Sequence, residues 1–140
     1  MDINSLERFV KAQELAYPIA LQDIKKGKKR SHWMWYIFPQ LRGLGTSTMA
    51  HKYGIVDLGE AKAYLEHPVL SARLYELCGE LLKHKDKSAN DIFGDIDAMK
   101  LKSSMTLFAL TSKEHTIFDE VLECFFDEER DAITLKLINR

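Results

Sequence analysis

Cationic and aromatic side chains are concentrated in one short stretch, residues 25–40, which reads KKGKKRSHWMWYIFPQ. Five of the six residues from Lys25 to Arg30 are basic, and the two tryptophans of the chain, Trp33 and Trp35, follow directly. Lysine and arginine neutralise clusters of anionic oxygens, and indole faces stack on planar groups. This composition therefore predicts binding of a flat, anionic ligand.

Each residue type in this stretch suggests a specific role. Lys29 and Arg30 are the candidate anion contacts, because ammonium and guanidinium groups hydrogen-bond phosphate or carboxylate oxygens. Trp33 or Trp35 is the candidate stacking surface. His32 lies between the two groups and is the one side chain here that titrates near neutral pH, so it is the candidate catalytic proton carrier.

A structural interpretation competes with this one. In a short helical turn, Trp33 and Tyr36 would fill the core, and Lys25 and Lys26 would stabilise a solvated helix C-terminus through the helix dipole. The basic cluster would then pair with the acidic run at 119–131, DEVLECFFDEERD. Composition alone does not separate the two interpretations.

A second polar group lies on the helix predicted to begin near Asp95 or Asp97. Asp97, Lys100 and Ser104 are spaced i, i+3 and i+7, so they share one helix face. Lys100 and Ser104 are therefore candidate polar contacts to a ligand; the alternative is an exposed ion pair with small residues at a helix crossing. The order Lys-x-x-Ser, from Lys100 to Ser103, reverses the Ser-x-x-Lys of penicillin-binding enzymes, which disfavours a serine nucleophile.

Metal and cofactor sites are not predicted. The five histidines include no i, i+4 pair, and the aspartates of NDIFGDID do not match a calcium-binding loop. The glycines of GLGTS, residues 43–47, follow no predicted strand, so they do not form a standard phosphate loop.

Bulk composition indicates one globular domain, residues 1–140, with 46% hydrophobic and 29% charged residues. The net charge of −1 makes nucleic acid an unlikely partner and leaves an anionic small molecule as the expected one. No signal-peptide pattern or membrane-length apolar run is present, so we expect a soluble cytoplasmic protein. Cys78 and Cys124 are expected to be buried reduced thiols. The sequence leaves the oligomeric state open.

The apolar periodicity predicts an all-α fold, a compact bundle of six to eight unequal helices. Pro18 is predicted to begin a second helix that Gly27 ends, and Ser31 to cap a turn carrying residues 32–38. Pro68 is predicted at the first position of another helix. The inward stripes expected along the later helices are Leu70, Leu74, Leu77, Cys78 and Leu81, then Ala98, Leu101, Met105 and Phe108, then Phe118, Val121, Leu122 and Phe125, and finally Ile133, Leu137 and Ile138 behind a cap at Asp131.

Several blocks together resemble one protein family over nearly the whole chain. The blocks are FVKAQ (9–13), GKKRSHWMWYIFPQLRGLG (27–45), EAKAYLEHPVLSARL (60–74), IFGDIDAMKLKSSMTLF (92–108) and FFDEERDAITLKLI (125–138). The chain is identified by them as a member of the family known as domain of unknown function 1810 (DUF1810). The resemblance implies a single-domain, mainly helical bacterial protein. Some members are labelled calpastatin, a label for which this sequence offers no physical basis.

A fainter resemblance concerns chemistry. An aromatic block ending in Gln40, followed by Glu-Ala-Lys and a helix ending in Leu-Phe, is similar to the helical N-glycosidases that act on riboflavin-pathway and ADP-ribosyl compounds. That family's acidic residue beside the aromatic block has no clear counterpart here. If the aromatic-basic stretch and the helix from Asp97 to Phe108 meet in space, they would line one pocket with Lys29, Arg30, His32, Trp33, Trp35, Gln40, Lys100 and Ser104.

Two functions remain open at the level of sequence. The first is binding of a phosphorylated nucleoside-like or ADP-ribose-like small molecule. As an N-glycosidase-like hydrolase, the protein would also cleave that molecule. The second is a protein- or nucleic-acid-interaction module that uses the basic patch from Lys25 to Arg30.

Overall fold

A computed structural model describes residues 4–139 and confirms the all-α fold. Within this range there are nine α-helices, six of them seven residues or longer, and one 3-10 turn, Leu82–His84. The helices are α1 Asn4–Lys26, α2 Met34–Ile37, α3 Thr48–Lys52, α4 Leu58–Glu66, α5 Pro68–Leu81, α6 Ala89–Phe93, α7 Asp95–Ala109, α8 Ile117–Phe126 and α9 Ala132–Ile138. The one extended contact among these residues is an isolated parallel bridge between Leu41 and Ile55.

Helix α7 lies at the centre of the fold and packs against α4, α6, α8 and α9. All residues from Ser103 to Ala109 are buried, so this half of α7 is enclosed on every side. Helix α5 packs between α1 and α8, and it buries all five residues of its predicted apolar stripe. Burial raises the pKa of the Cys78 thiol in that stripe, which keeps it protonated.

Helix α1 is longer than the sequence predicts. The prediction that Pro18 begins a new helix is wrong, because α1 continues unbroken from Asn4 to Lys26. Proline removes one backbone hydrogen bond, here to the carbonyl of Glu14. Glu14 and Pro18 are both exposed, so water can hydrogen-bond the released carbonyl and the helix tolerates the loss.

The turn after the basic run also differs from its prediction. Helix α2 begins at Met34, and the residue before it, Trp33, makes no side-chain capping bond. Ser31 therefore does not cap a turn starting at His32. Its backbone N–H instead donates to the carboxylate of Asp23, 3.2 Å away.

Most predicted helix ends are confirmed. The imidazole of His67 caps α5, Pro68 occupies its first turn, and the Asp131 carboxylate caps α9 by accepting from the N–H of Thr134. Two predictions on the C-terminal helices are wrong. Ile133 is 59% exposed because the first turn of α9 buries Thr134 instead. Cys124 is only partly buried, because it lies beyond Leu122, the last buried residue of α8.

Two further observations concern residues 4–139 only. Their helices include none that is both long and apolar enough to cross a lipid bilayer. They also contain no group of three or more histidine, cysteine, aspartate or glutamate side chains arranged to hold a metal ion.

Candidate functional site

The basic run begins where α1 ends, in a turn that requires glycine. Gly27 has φ +72°, its N–H donates to the carbonyl of Ile24, and the N–H of Lys28 donates to the carbonyl of Asp23. This pair of bonds is the Schellman motif, whose left-handed residue is normally glycine. The turn reverses the chain and sends residues 28–33 back along the helix end.

Asp23 holds this returning segment in place. Its Oδ2 atom accepts hydrogen bonds from the backbone N–H groups of Arg30 and Ser31, at 3.0 and 3.2 Å, and from Trp33 Nε1 at 2.9 Å. The side chain is nearly buried, so these donors replace the water that a carboxylate would otherwise bind. This role of Asp23 was not predicted from the sequence. The available signal was the position of Asp23 next to Ile24 and three residues after Ala20, on the inner face of α1.

Lys29 is drawn into the protein rather than into solvent. Its Nζ atom lies 2.8 Å from Asp97 Oδ2 on α7, and its side chain is 7% exposed. The same atom lies 5.0 Å from the ring centroid of Trp33, which is 1% exposed. The aromatic-basic stretch and the helix that carries Asp97 therefore do meet in space. At this contact, however, Lys29 and Trp33 are almost fully enclosed, and Asp97 is the most exposed member of the cluster, at 20%.

The other lysines and the arginine of the run point outward, as does His32 just after it. Lys25, Lys26, Lys28, Arg30 and His32 are all exposed. None of them lines the pocket described next. The predicted pairing of the cluster with the acidic run at 119–131 is wrong: Lys29 pairs with Asp97, and Asp119 and Glu129 pair with Arg130 and Lys102.

Trp35, two residues after the buried Trp33, is half-buried and lines a pocket. We call this the Trp35 pocket; its lining residues are Met34, Trp35, Phe38, Gln40, Ala50, Tyr53, Gly54 and Lys100. Three of the predicted site residues, Trp35, Gln40 and Lys100, thus converge here. The interior has room for about one water molecule.

The far wall of the pocket depends on the bridge between residues 40 and 55. The N–H of Ile55 donates to the carbonyl of Gln40 at 2.9 Å, and the N–H of Arg42 donates to the carbonyl of Ile55 at 2.8 Å. Gly54 fits between them without a side chain, since a Cβ atom there would lie 2.8 Å from Arg42 Cα and from the carbonyl oxygen of Ala50. This close approach brings Gln40 and Gly54 to the same pocket.

Lys100 contributes the pocket's cation. Its Nζ atom lies 5.4 Å from the ring centroid of Trp35, a separation typical of a cation–π contact. It also lies 3.7 Å from Asp97 Oδ1, a looser ion pair than that of Lys29 with the other oxygen of the same carboxylate. Of the described residues in the lining, Lys100 and Tyr53 are the ionisable ones, so the pocket presents a cation, a phenol, an amide and aromatic surface.

Tyr53 was not singled out from the sequence, although it borders the pocket. It packs against Tyr36 with ring centroids 5.2 Å apart, and Tyr36 in turn stacks on Trp35. Arg8 fixes the backbone on either side of Tyr53 by donating to the carbonyls of Lys52 and Gly54, both at 2.8 Å. Arg8 is itself paired with the buried Glu60 at 2.9 Å. The signal that could have revealed Tyr53 was the cation-aromatic-glycine sequence KYG at 52–54.

Ser104 lies one turn after Lys100 on α7 but is completely buried. Among the described residues it does not line the Trp35 pocket, and its hydroxyl has no hydrogen-bond partner. In this conformation Ser104 is therefore inaccessible to a ligand.

Comparison with known proteins agrees with the geometry of the fold. The crystal structure of the conserved hypothetical protein Rv1873 from Mycobacterium tuberculosis is 42% identical to this chain. The alignment covers 99% of each chain with a TM-score of 0.96. None of the curated proteins compared with the chain matches it. The family model described as "Protein of unknown function (DUF1810)" matches residues 3–138, so the chain belongs to the DUF1810 family, as its motifs predicted.

Proposed function

We propose that the chain binds a planar, anionic small molecule, of the phosphorylated nucleoside or ADP-ribose type, at the mouth of the Trp35 pocket. The observation that carries the proposal is the placement of the Lys100 ammonium over the indole of Trp35, beside the amide of Gln40. A stacking face, a cation and an amide are the three groups that such a ligand needs.

The stacking face is held in place before a ligand arrives. The Trp35 ring is nearly parallel to that of Tyr36, at an interplanar angle of 8°. The hydroxyl of Tyr36 donates to the carbonyl of His32, which ties the pair to the preceding turn. Stacking of a base on such a ring contributes about 1–3 kcal/mol.

The cation retains capacity for a ligand. Asp97 is shared by Lys29 at 2.8 Å and Lys100 at 3.7 Å, so one carboxylate neutralises two ammonium groups incompletely. Lys100 is the more accessible of the two, with 27% of its side chain exposed. Lys100 and Trp35 are therefore the proposed contacts to the ligand. Lys29 and Trp33 hold the surrounding structure in position.

The size of the pocket limits the binding mode. Because its interior holds about one water molecule, a ring lies across the mouth on Trp35 and does not enter. Gln40, at the pocket's edge, offers both a donor and an acceptor to the ring's polar atoms.

Binding is better supported than catalysis. Among the described residues, the lining contains no carboxylate or imidazole, and His32 lies on the surface outside it. Hydrolysis would require His32 to reach the bound molecule as the proton carrier. Replacement of His32 by alanine tests this: loss of turnover with unchanged affinity assigns the role, and unchanged turnover removes it.

Nuclear magnetic resonance of the two indole N–H groups tests the binding proposal. Titration with AMP, ADP and ADP-ribose should shift the Trp35 signal and leave that of Trp33 in place, because Trp33 is buried and bonded to Asp23. Trp35→Phe assigns the signals, and Lys100→Ala should weaken binding of AMP more than that of adenosine. A ligand at about 100 times its Kd should also add about 2.7 kcal/mol of stability. Equal shifts of both signals, or no shift and no stabilisation with any of the three compounds, would overturn the proposal.

The interaction module considered from the sequence uses other residues. Lys25, Lys26, Lys28 and Arg30 are exposed and lie outside the Trp35 pocket. The surface that such a module would use is therefore separate from the Trp35 pocket.

A further inference from the structure

Two basic runs that are far apart in the sequence lie against each other at the C-terminus of α1. The first run is KKGKKR, residues 25–30, and the second is KHKDK, residues 83–87. His84 Nε2 lies 2.7 Å from the carbonyl oxygen of Ile24, and Lys87 Nζ donates to the carbonyl of Gly27 at 3.2 Å. We call the combined surface of the two runs the basic face.

The helix end explains why the runs meet. The last carbonyls of α1 have no partner within the helix, and they carry the negative end of its dipole. His84 and Lys87 hydrogen-bond to carbonyls there. The packing is tight, since a Cβ atom on Gly27 would lie 2.7 Å from Lys87 Nζ and 3.1 Å from the His84 ring.

The charge of the basic face is concentrated and largely unpaired. The two runs hold eight lysine and arginine residues and a single acidic residue, Asp86. The net charge of −1, which disfavours nucleic acid for the molecule as a whole, therefore conceals a local excess of positive charge. Within the described residues, Lys29 is paired with Asp97 and Lys83 with Glu80. The exposed cations that form no ion pair there are Lys25, Lys26, Lys28 and Arg30 of the first run and Lys85 of the second. Lys85 lies at the border of the face, since it also lines a cavity with Glu120 and Glu123 of α8.

The chemistry of the basic face selects its partner. Protein interfaces usually have an apolar or aromatic centre and few lysines, and none of the exposed large apolar side chains belongs to either run. Single-stranded nucleic acids are bound by aromatic stacking, which an all-polar face cannot supply. A duplex needs only cations at the spacing of its phosphates. We propose that the basic face binds the phosphate backbone of a nucleic-acid duplex without sequence preference.

Salt dependence provides the quantitative test. Fluorescence anisotropy of a labelled DNA duplex of about 20 base pairs should show micromolar binding that weakens with salt. About four phosphate contacts give a slope of about −3.6 in log affinity against log salt, a loss of about 100-fold between about 50 and 200 mM. A slope near zero would overturn the proposal.

Charge-reversal variants test whether both runs belong to one surface. Lys28→Glu and Lys85→Glu should each weaken duplex binding several-fold and flatten the slope. Lys62→Glu is the matched control, because Lys62 is an exposed lysine of α4 outside both runs. Thermal melts of all three variants check that they remain folded. If Lys85→Glu has no effect, or Lys62→Glu weakens binding as much, the two-run surface is rejected.

Other polyanions distinguish the partner class. Tighter binding of a single strand of equal length, of polyglutamate, or of vesicles containing phosphatidylserine would reject the duplex in favour of that partner. Trp35→Phe should leave duplex binding unchanged, because Trp35 belongs to neither run. Failure of the nucleotide-binding proposal therefore does not bear on this one.

Discussion

Lys29 and Asp97 form an ion pair of 2.8 Å between the end of the basic run and the first turn of α7. A lysine from the most cationic stretch of the chain is thus nearly buried, and it connects two of the blocks that carry the family resemblance, 27–45 and 92–108. Through the same carboxylate, Lys29 is linked to Lys100 and so to the Trp35 pocket. We therefore expect both the stability of the fold and the proposed ligand binding to depend on one side chain, Asp97.

Replacement of Asp97 by asparagine should lower the free energy of unfolding by about 3 kcal/mol, because it leaves the ammonium of Lys29 nearly buried without its counter-charge. Urea denaturation measures the change. Lys28→Ala is the control, since Lys28 is exposed, and it should change the free energy by less than about 0.5 kcal/mol.

The double variant Lys29→Met, Asp97→Asn separates the charge effect from general disruption of packing. Replacement of both partners removes the unpaired charge, so the double variant should regain most of the stability lost in Asp97→Asn. If it is less stable than the single variant, the ion pair is not the cause of the loss.

We expect Asp23 to hold the segment after α1, residues 28–33, in its folded conformation. Asp23→Ala removes the acceptor of three hydrogen bonds at once, to Arg30, Ser31 and Trp33. Each donor left unsatisfied costs about 1–3 kcal/mol if it stays buried. Amide hydrogen exchange should therefore accelerate at Arg30 and Ser31 before it does so in α5. Unchanged exchange at these two amides would show that another group holds the segment.

Two glycines give opposite expectations for the same substitution. Gly27→Ala should lower the free energy of unfolding by about 1–2 kcal/mol or more, because alanine at φ +72° is strained and its Cβ crowds Lys87. Gly79 lies inside α5, and a Cβ atom added there would meet no atom within 4 Å outside the neighbouring helix backbone and the adjacent residues, so Gly79→Ala should raise stability by about 0.5–1 kcal/mol. Thermal denaturation of both variants measures the difference. The expectation fails if the two shift Tm in the same direction.

Much of the fold follows from local patterns. The stripe of α5 was predictable because every member repeats at helical spacing and Pro68 marks its start. Pro18 misled the prediction because the cost of proline inside a helix depends on whether the released carbonyl reaches water, which is a tertiary property. The same holds for Ile133, which has helical spacing but lies on the exposed side of α9.

The candidate site was predictable in its composition but not in its geometry. Trp33 and Trp35 are equivalent candidates in the sequence, and only the structure shows that the first is 1% exposed and bonded to Asp23 whereas the second lines the pocket. Their different burial is set by the hydrogen bonds of Asp23, ten residues earlier, and by a one-turn helix too short to show periodicity. The contact between residues 25–30 and residues 83–87 could not be predicted from the sequence either, because it depends on where α1 ends in space.

Ser104 provides a test in which a structural and a ligand-binding role predict different results. Its hydroxyl is buried without a partner, so Ser104→Ala removes an unsatisfied polar group and should leave the free energy of unfolding unchanged or raise it by up to about 1 kcal/mol. Thr106, two residues later, is the matched contrast, because its hydroxyl accepts from the N–H of Asp131 and donates to the carbonyl of Lys102. Thr106→Val should lower stability by about 1–3 kcal/mol, since the Asp131 N–H loses its acceptor. Urea denaturation gives the stabilities, and titration with AMP gives the affinities. Weaker AMP binding by Ser104→Ala at unchanged stability would instead show that the hydroxyl becomes accessible and contacts the ligand.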